Sequence, residues 1–211
     1  MGGETEIINS PDILIIEATY GSPKCRRVFK NEVIDLLIDT VTLGLTKHDR
    51  VVIYGYYGKL QEVMKILRER GVNEPFIMNR KIYNITRIAE KYGWMIGDYY
   101  LENTREAYEV ARSSKYIYFE HLSRAKYRRL NNRSLYIVLT GHEFREPIRR
   151  IDDRTWLIAF SDHADFDELI QYVELSKPRI IIVDNSREGY PEVFTEELRK
   201  RGWNAILIPQ P

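Results

Sequence analysis

Four consecutive apolar residues, Ile13, Leu14, Ile15 and Ile16, lie between Asp12 and Glu17 and predict a strand of the buried type. Ala18-Thr19-Tyr20-Gly21-Ser22-Pro23 reads as the loop after it. Val33, Ile34, Leu37, Ile38 and Val41 then recur at helical spacing, with Gly44 expected to end that helix. The pattern repeats: an apolar run at 50–54 leads into Gly55-Tyr56-Tyr57-Gly58. Leu60, Val63, Met64, Ile66 and Leu67 follow on one helix face, which stops at Gly71. Two strand–loop–helix units in a row predict an α/β fold, a mostly parallel sheet with flanking helices.

The middle of the chain is less regular. A short strand is expected at 75–78, helices at 81–91 and 104–111, and strands at 116–119 and 135–139. A strand at 155–160 runs into Ser161-Asp162-His163-Ala164-Asp165, and Leu169, Ile170, Val173 and Leu175 mark an amphipathic helix behind it. A buried strand at 178–184 ends on Asp184, a helix covers 191–200, and Ala205 to Ile208 is expected to close the sheet.

Loops at the carboxyl ends of parallel strands share one rim. Glu17, the Tyr54-Gly55 loop, Gly141-His142, Ser161-Asp162-His163 and Asp184 are therefore candidates for a common crevice. A carboxylate beside a histidine fixes its tautomer and favours its protonated form, as general acid chemistry needs. Acids at strand ends also cap the next helix, and periodicity does not separate the two roles.

Composition narrows the partners. Net charge is +1, so a nucleic-acid surface has to be a local patch. One such patch spans 112–133, where Arg112, Lys115, Arg124, Lys126, Arg128, Arg129 and Arg133 face a single acid, Glu120, with Tyr116, Tyr118 and Tyr127 interleaved. Cations for phosphates and rings for bases suit RNA or single-stranded DNA. The single cysteine, Cys25, excludes an intramolecular disulfide and a cysteine-rich zinc site, and its neighbours Lys24, Arg26 and Arg27 make it a candidate reactive thiol. No apolar run approaches the roughly 18 residues of a membrane helix, and the acidic start lacks a signal-peptide pattern. A cytoplasmic protein is expected, and scarce Gln beside plentiful Ile, Tyr, Arg and Glu leans thermophilic.

Glu17-Ala18-Thr19-Tyr20-Gly21 and Phe160-Ser161-Asp162-His163-Ala164-Asp165, in that order and followed by Lys177-Pro178 and a strand, resemble the β-CASP branch of the metallo-β-lactamase-fold nucleases. The flavour is that of its short archaeal and ligase-associated exonuclease-like members, linked to mRNA 3′-end processing. The resemblance implies three regions: a residual metallo-β-lactamase-like segment at 1–23, a β-CASP-like α/β domain at 24–154, and a carboxy-terminal metallo-β-lactamase-like segment at 155–211. It implies that Glu17 holds His163, which donates to the leaving group of the scissile phosphate, with Asp165 in support. From the basic tract, Lys115, Arg124, Lys126, Arg128, Arg129 and Arg133 are candidates for contact with nucleic acid, and Tyr20 of the first motif is added to them.

The sequence departs from the family pattern at its metal centre. The family's His-x-His-x-Asp-His motif, a further histidine and a bridging aspartate are not in this sequence, which holds only His48, His121, His142 and His163. After Lys177-Pro178, where the family often has a histidine ligand, stands Asp184, a weak ligand candidate on its own. Without metal-activated water there is no nucleophile for phosphodiester hydrolysis. The chain is thus expected not to cut nucleic acid alone, with zinc or another divalent metal bound only if an amino-terminal half is supplied. An apolar face is expected where that half would pack, covered by a second copy or a partner chain. The alternative is a non-catalytic nucleic-acid-binding or assembly module derived from the family. A third reading, a phosphate loop at Tyr54-Gly55-Tyr56-Tyr57-Gly58, lacks the Gly-Lys-Ser/Thr of a P-loop.

Overall fold

β1 (Ile13–Ile16), α1 (Lys30–Lys47), β2 (Arg50–Gly55), α2 (Lys59–Glu69), β3 (Phe76–Met78), α3 (Arg80–Lys91) and β4 (Tyr99–Leu101) open the chain. Then come α4 (Arg105–Ser113), β5 (Tyr116–His121), β6 (Ser134–Leu139), β7 (Ile148–Asp152) and β8 (Thr155–Ile158). α5 (Phe166–Ser176), β9 (Ile180–Asp184), α6 (Pro191–Lys200) and β10 (Ala205–Ile208) complete it. This computed structural model describes residues 5–127 and 132–210. The elements divide into two compact units, one built from the segments 1–28 and 162–211, the other from 29–161.

In the first unit β9 lies between β1 and β10, both parallel to it, with Ile13 opposite Ile180 and Ile16 opposite Val183. The inward positions Leu14, Ile16, Ile181, Val183 and Ala205 form one core with Phe166, Leu169 and Val173 of α5 and Phe194 and Leu198 of α6. The helices cover only that face. The continuous apolar run of β1 predicts burial on both sides, yet Ile13 is 53% and Ile15 69% exposed.

The second unit holds a seven-stranded sheet in the order β4-β3-β5-β2-β6-β8-β7, parallel except for β7. β2 is central and buried along nearly its whole length, as expected for a parallel strand covered on both faces. The expected single sheet is therefore two, and β10 closes the smaller one. β4 and β7 have no sequence signal: β4 is three residues long, and the edge strand β7 carries exposed Arg149 and Arg150 instead of an apolar alternation.

Gly44 does not end α1, which runs on to Lys47. A Cβ at Gly44 would sit 2.6 Å from Leu135 Cδ2 and 2.9 Å from Val51 Cγ2, so its glycine is explained by close helix–sheet packing. Gly44→Ala therefore opposes two effects: about 1 kcal/mol gained in helix propensity and about 1–3 kcal/mol lost to overpacking. Val51 is fully buried and stiff at χ1, so the clash wins. A lower urea midpoint at unchanged m-value is expected; a neutral or stabilised variant would show that the helix has room to shift.

Candidate functional site

The β1–β9 register brings the carboxyl ends of both strands to one edge, where Glu17 and Asp184 follow the last paired apolar residues. The Thr19 amide donates to Glu17 Oε2 at 2.6 Å, which turns the carboxylate back over its own loop. Glu17 Oε1 stands 3.5 Å from His163 Nδ1, with the histidine side chain 49% exposed. The Tyr20 ring and the imidazole form a T-shaped pair, centroids 5.8 Å apart.

His163 stands two residues before the N-cap of α5. Asp165 caps that helix, accepting from the Glu168 amide at 2.9 Å while Glu168 accepts from the Asp165 amide at 2.8 Å. The second oxygen of Asp165 accepts from the Arg27 amide at 2.9 Å, and Arg26 Nε donates to Asp167 at 2.8 Å. Asp165 is 1% exposed, so its visible work is to fasten the 22–27 loop to the start of α5. The sequence offers no signal for the Arg27 contacts, made by a backbone amide and by a guanidinium 4.5 Å above the Tyr20 ring.

The loop after β9 closes the site. The Ala18 carbonyl accepts from both the Gly21 amide at 3.1 Å and the Tyr190 amide at 2.9 Å. Gly189 has φ +155°, and a Cβ there would come within 2.7 Å of the Ala18 oxygen and the Thr19 Cα. Only glycine permits this approach. Glu17, Thr19, His163, Asp184, Arg187 and Glu188 line the resulting cleft of about 40 Å³. The Ser186 hydroxyl and amide donate to Asp184, and with Arg187 nearby they hold its carboxyl below the usual aspartate range.

Glu17, His163 and Asp184 thus share one cleft and carry donor atoms that suit a divalent ion. Among the described residues, however, no three His, Cys, Asp or Glu side chains form a metal-holding group. A structural or catalytic zinc takes at least three protein ligands. The described residues do not fit a resident zinc by themselves.

Other candidates fall elsewhere. The Tyr54-Gly55 loop and Gly141-His142 belong to the seven-stranded unit, not to the three-stranded one that carries Glu17. Tyr20 is 3% exposed, its ring taken up by Arg27 and His163, which leaves it packed where a base would need an open face. The Lys115 ammonium donates to the Leu45 and Thr46 carbonyls at the end of α1, a helix C-cap. Arg133 pairs with Asp49. Arg124 and Lys126 are exposed on the 3-10 turn 122–127, and Arg128 and Arg129 lie outside the described residues. Cys25 is buried, and burial pushes its thiol up, away from the reactive thiolate.

Comparison with known proteins supports the motif reading. Residues 148–209 match the family model described as the Zn-dependent metallo-hydrolase RNA specificity domain. An uncharacterized protein in the lig 3′ region of Acidianus ambivalens is 49% identical over 92 residues, 44% of this chain and 64% of that protein. Cleavage and polyadenylation specificity factor subunit 3-I of Arabidopsis thaliana is 33% identical over 118 residues, 54% of this chain and 16% of that protein. The crystal structure of a protein of unknown function from Enterococcus faecalis V583 superposes with a TM-score of 0.54 at 15% identity, over 96% of this chain and 51% of that one, a likeness of fold. Each match spans less than two thirds of the relative's own length. The RNA-specificity match and the processing-factor relative, added to the two motifs that meet at Glu17 and His163, support the resemblance to the β-CASP branch of the metallo-β-lactamase-fold nucleases.

Proposed function

We propose that this chain serves RNA processing as the β-CASP and RNA-specificity part of a metallo-β-lactamase-fold nuclease. The observation that carries the reading is the Glu17–His163 pair, 3.5 Å apart at the mouth of a cleft and drawn from sequence motifs far apart in the chain. In phosphodiester cleavage His163 donates its proton to the departing oxygen, and Glu17 orients the ring through Nδ1. Asp165 is a positioning residue, acting through the α5 cap. The ligands of a full metal centre would come from outside the described residues, so the chain by itself binds RNA without cutting it. DNA in place of RNA is the lesser alternative, since the matched family model is named for RNA specificity.

Two arms test this. The chain alone should bind a short single-stranded RNA with strong salt dependence and leave it intact in Zn²⁺ or Mn²⁺. Reversing Arg124 and Lys126 to Glu should weaken binding roughly tenfold. Supplied with a polypeptide bearing the His-x-His-x-Asp-His half, it should cut. His163→Ala should then lower the rate by about 10²–10⁴-fold with little change in RNA affinity. Metal-dependent cutting by the chain alone, or full activity of His163→Ala, would overturn the assignment.

A second reading, an assembly module without catalysis, is favoured by the uncovered face of the three-stranded sheet. Parallel sheets are covered on both faces, yet Ile13, Ile15, Ile206 and Ile208 all point to solvent here. On this reading a second copy of the chain, or a partner chain, covers that face. Light scattering is expected to give a mass above that of one chain, reverting to one chain in Ile15→Lys. A monomer at all concentrations would remove the support for this reading.

A further inference from the structure

The seven-stranded unit carries a second arrangement at its own strand ends. β2 and β3 both send the chain toward the β4 edge, whereas β5, which lies between them, sends it the other way to β6. Connections that part over the carboxyl ends of neighbouring parallel strands leave a crevice, the usual ligand position in such sheets. An aromatic and charged cluster stands there, at the ends of β2, β3 and β5.

Tyr57 stacks on His121 with ring centroids 4.5 Å apart and planes 30° apart, and Tyr56 meets the same imidazole edge-on at 5.4 Å. Gly58, with φ +84°, turns the chain from this pair into α2. The Lys81 ammonium, on the first turn of α3, lies 4.3 Å from the Tyr57 ring centroid. Glu120 Oε1 accepts from Asn79 Nδ2 and from the His121 amide, both at 2.8 Å, tying the β3 and β5 ends together. Tyr56 is 55% exposed, Lys81 is exposed, and Tyr57 and His121 are half-buried. Core aromatics would be buried; these form a rim stack that keeps ring surface open to solvent.

We propose that this crevice binds one unpaired nucleotide, its base stacked on the Tyr56–Tyr57–His121 rings and its phosphate held by Lys81. Ring faces accept any base, and a neighbouring cation meets the phosphate. The Glu120 carboxylate favours the N–H edge of a base and opposes a bare phosphate ion, so the ligand class is a nucleotide and not inorganic phosphate. The proposal deepens the RNA reading by naming the part of the strand that this unit grips, and it uses none of Glu17, His163 or the basic turn.

The test needs neither RNA nor cleavage. Isotope-labelled full chain is titrated separately with adenosine 5′-monophosphate, ribose 5-phosphate and inorganic phosphate, following the His121 ring and the Tyr56 and Tyr57 amides. Saturable shifts at these residues are expected with the nucleotide, at an affinity at least about tenfold above ribose 5-phosphate. Tyr57→Phe should keep it within about twofold, and Tyr57→Ala and the exposed-site variant Tyr56→Ala should weaken it about tenfold. Lys81→Ala should weaken the nucleotide but not adenosine. Absence of shifts at these residues, equal response to inorganic phosphate, or unchanged affinity in both alanine variants would overturn the site. RNA binding that survives such a result would leave the broader function standing, and nucleotide binding without any RNA binding would do the reverse.

Discussion

The parallel pairing of β1 with β9 is the contact on which the site depends, because it joins residues 13–16 to residues 180–183. Closing a loop of that length costs roughly 4–5 kcal/mol in chain entropy by the logarithmic term. Burying Leu14 and Ile16 against α5 and α6, at about 1.5–3 kcal/mol each, together with the ladder hydrogen bonds, offsets it. Once the register is set with Ile16 opposite Val183, Glu17 and Asp184 have no choice of edge. A slip of one residue would turn Glu17 to the other face of the sheet. The Ala18 carbonyl, clasped by the Gly21 and Tyr190 amides, then locks the loop behind Glu17 to the loop behind β9.

Much of this was legible in residues. Buried strands at β2, β6 and β9 and the helices α2, α3 and α6 announce themselves through apolar runs and helical spacing, because their burial is one-sided or complete in a regular way. Gly44 misled, since a glycine in a helix can mark either an end or a close contact, and only the Leu135 and Val51 side chains decide between them. The short β4 and the charged edge β7 carry no periodicity to read. The division into two sheets was also hidden, because pairing partners are a property of long-range register and not of any single strand.

The site divides along the same line. Glu17 and His163 were readable as a pair through their motifs, and the cleft unites them with Asp184. Asp165 is buried on backbone amides, and Lys115 and Arg133 are occupied by a helix end and by Asp49. A charge count does not distinguish a cation that caps a helix from one that meets a phosphate. The Tyr57–His121 stack was missed for the opposite reason. Its residues come from three strand ends, and no linear motif connects them. The protein thus carries a small polar cleft in one unit and an aromatic, cationic rim in the other.

The central claim is that Glu17 orients His163 through Nδ1, and long-range ¹H–¹⁵N correlation of the His163 ring tests it most directly. At alkaline pH, where an imidazole is neutral, Nδ1 is predicted to carry the proton toward Glu17, and Glu17→Gln to alter the Nδ1 and Nε2 shifts. An Nε2-protonated ring, indifferent to Glu17→Gln, would contradict it.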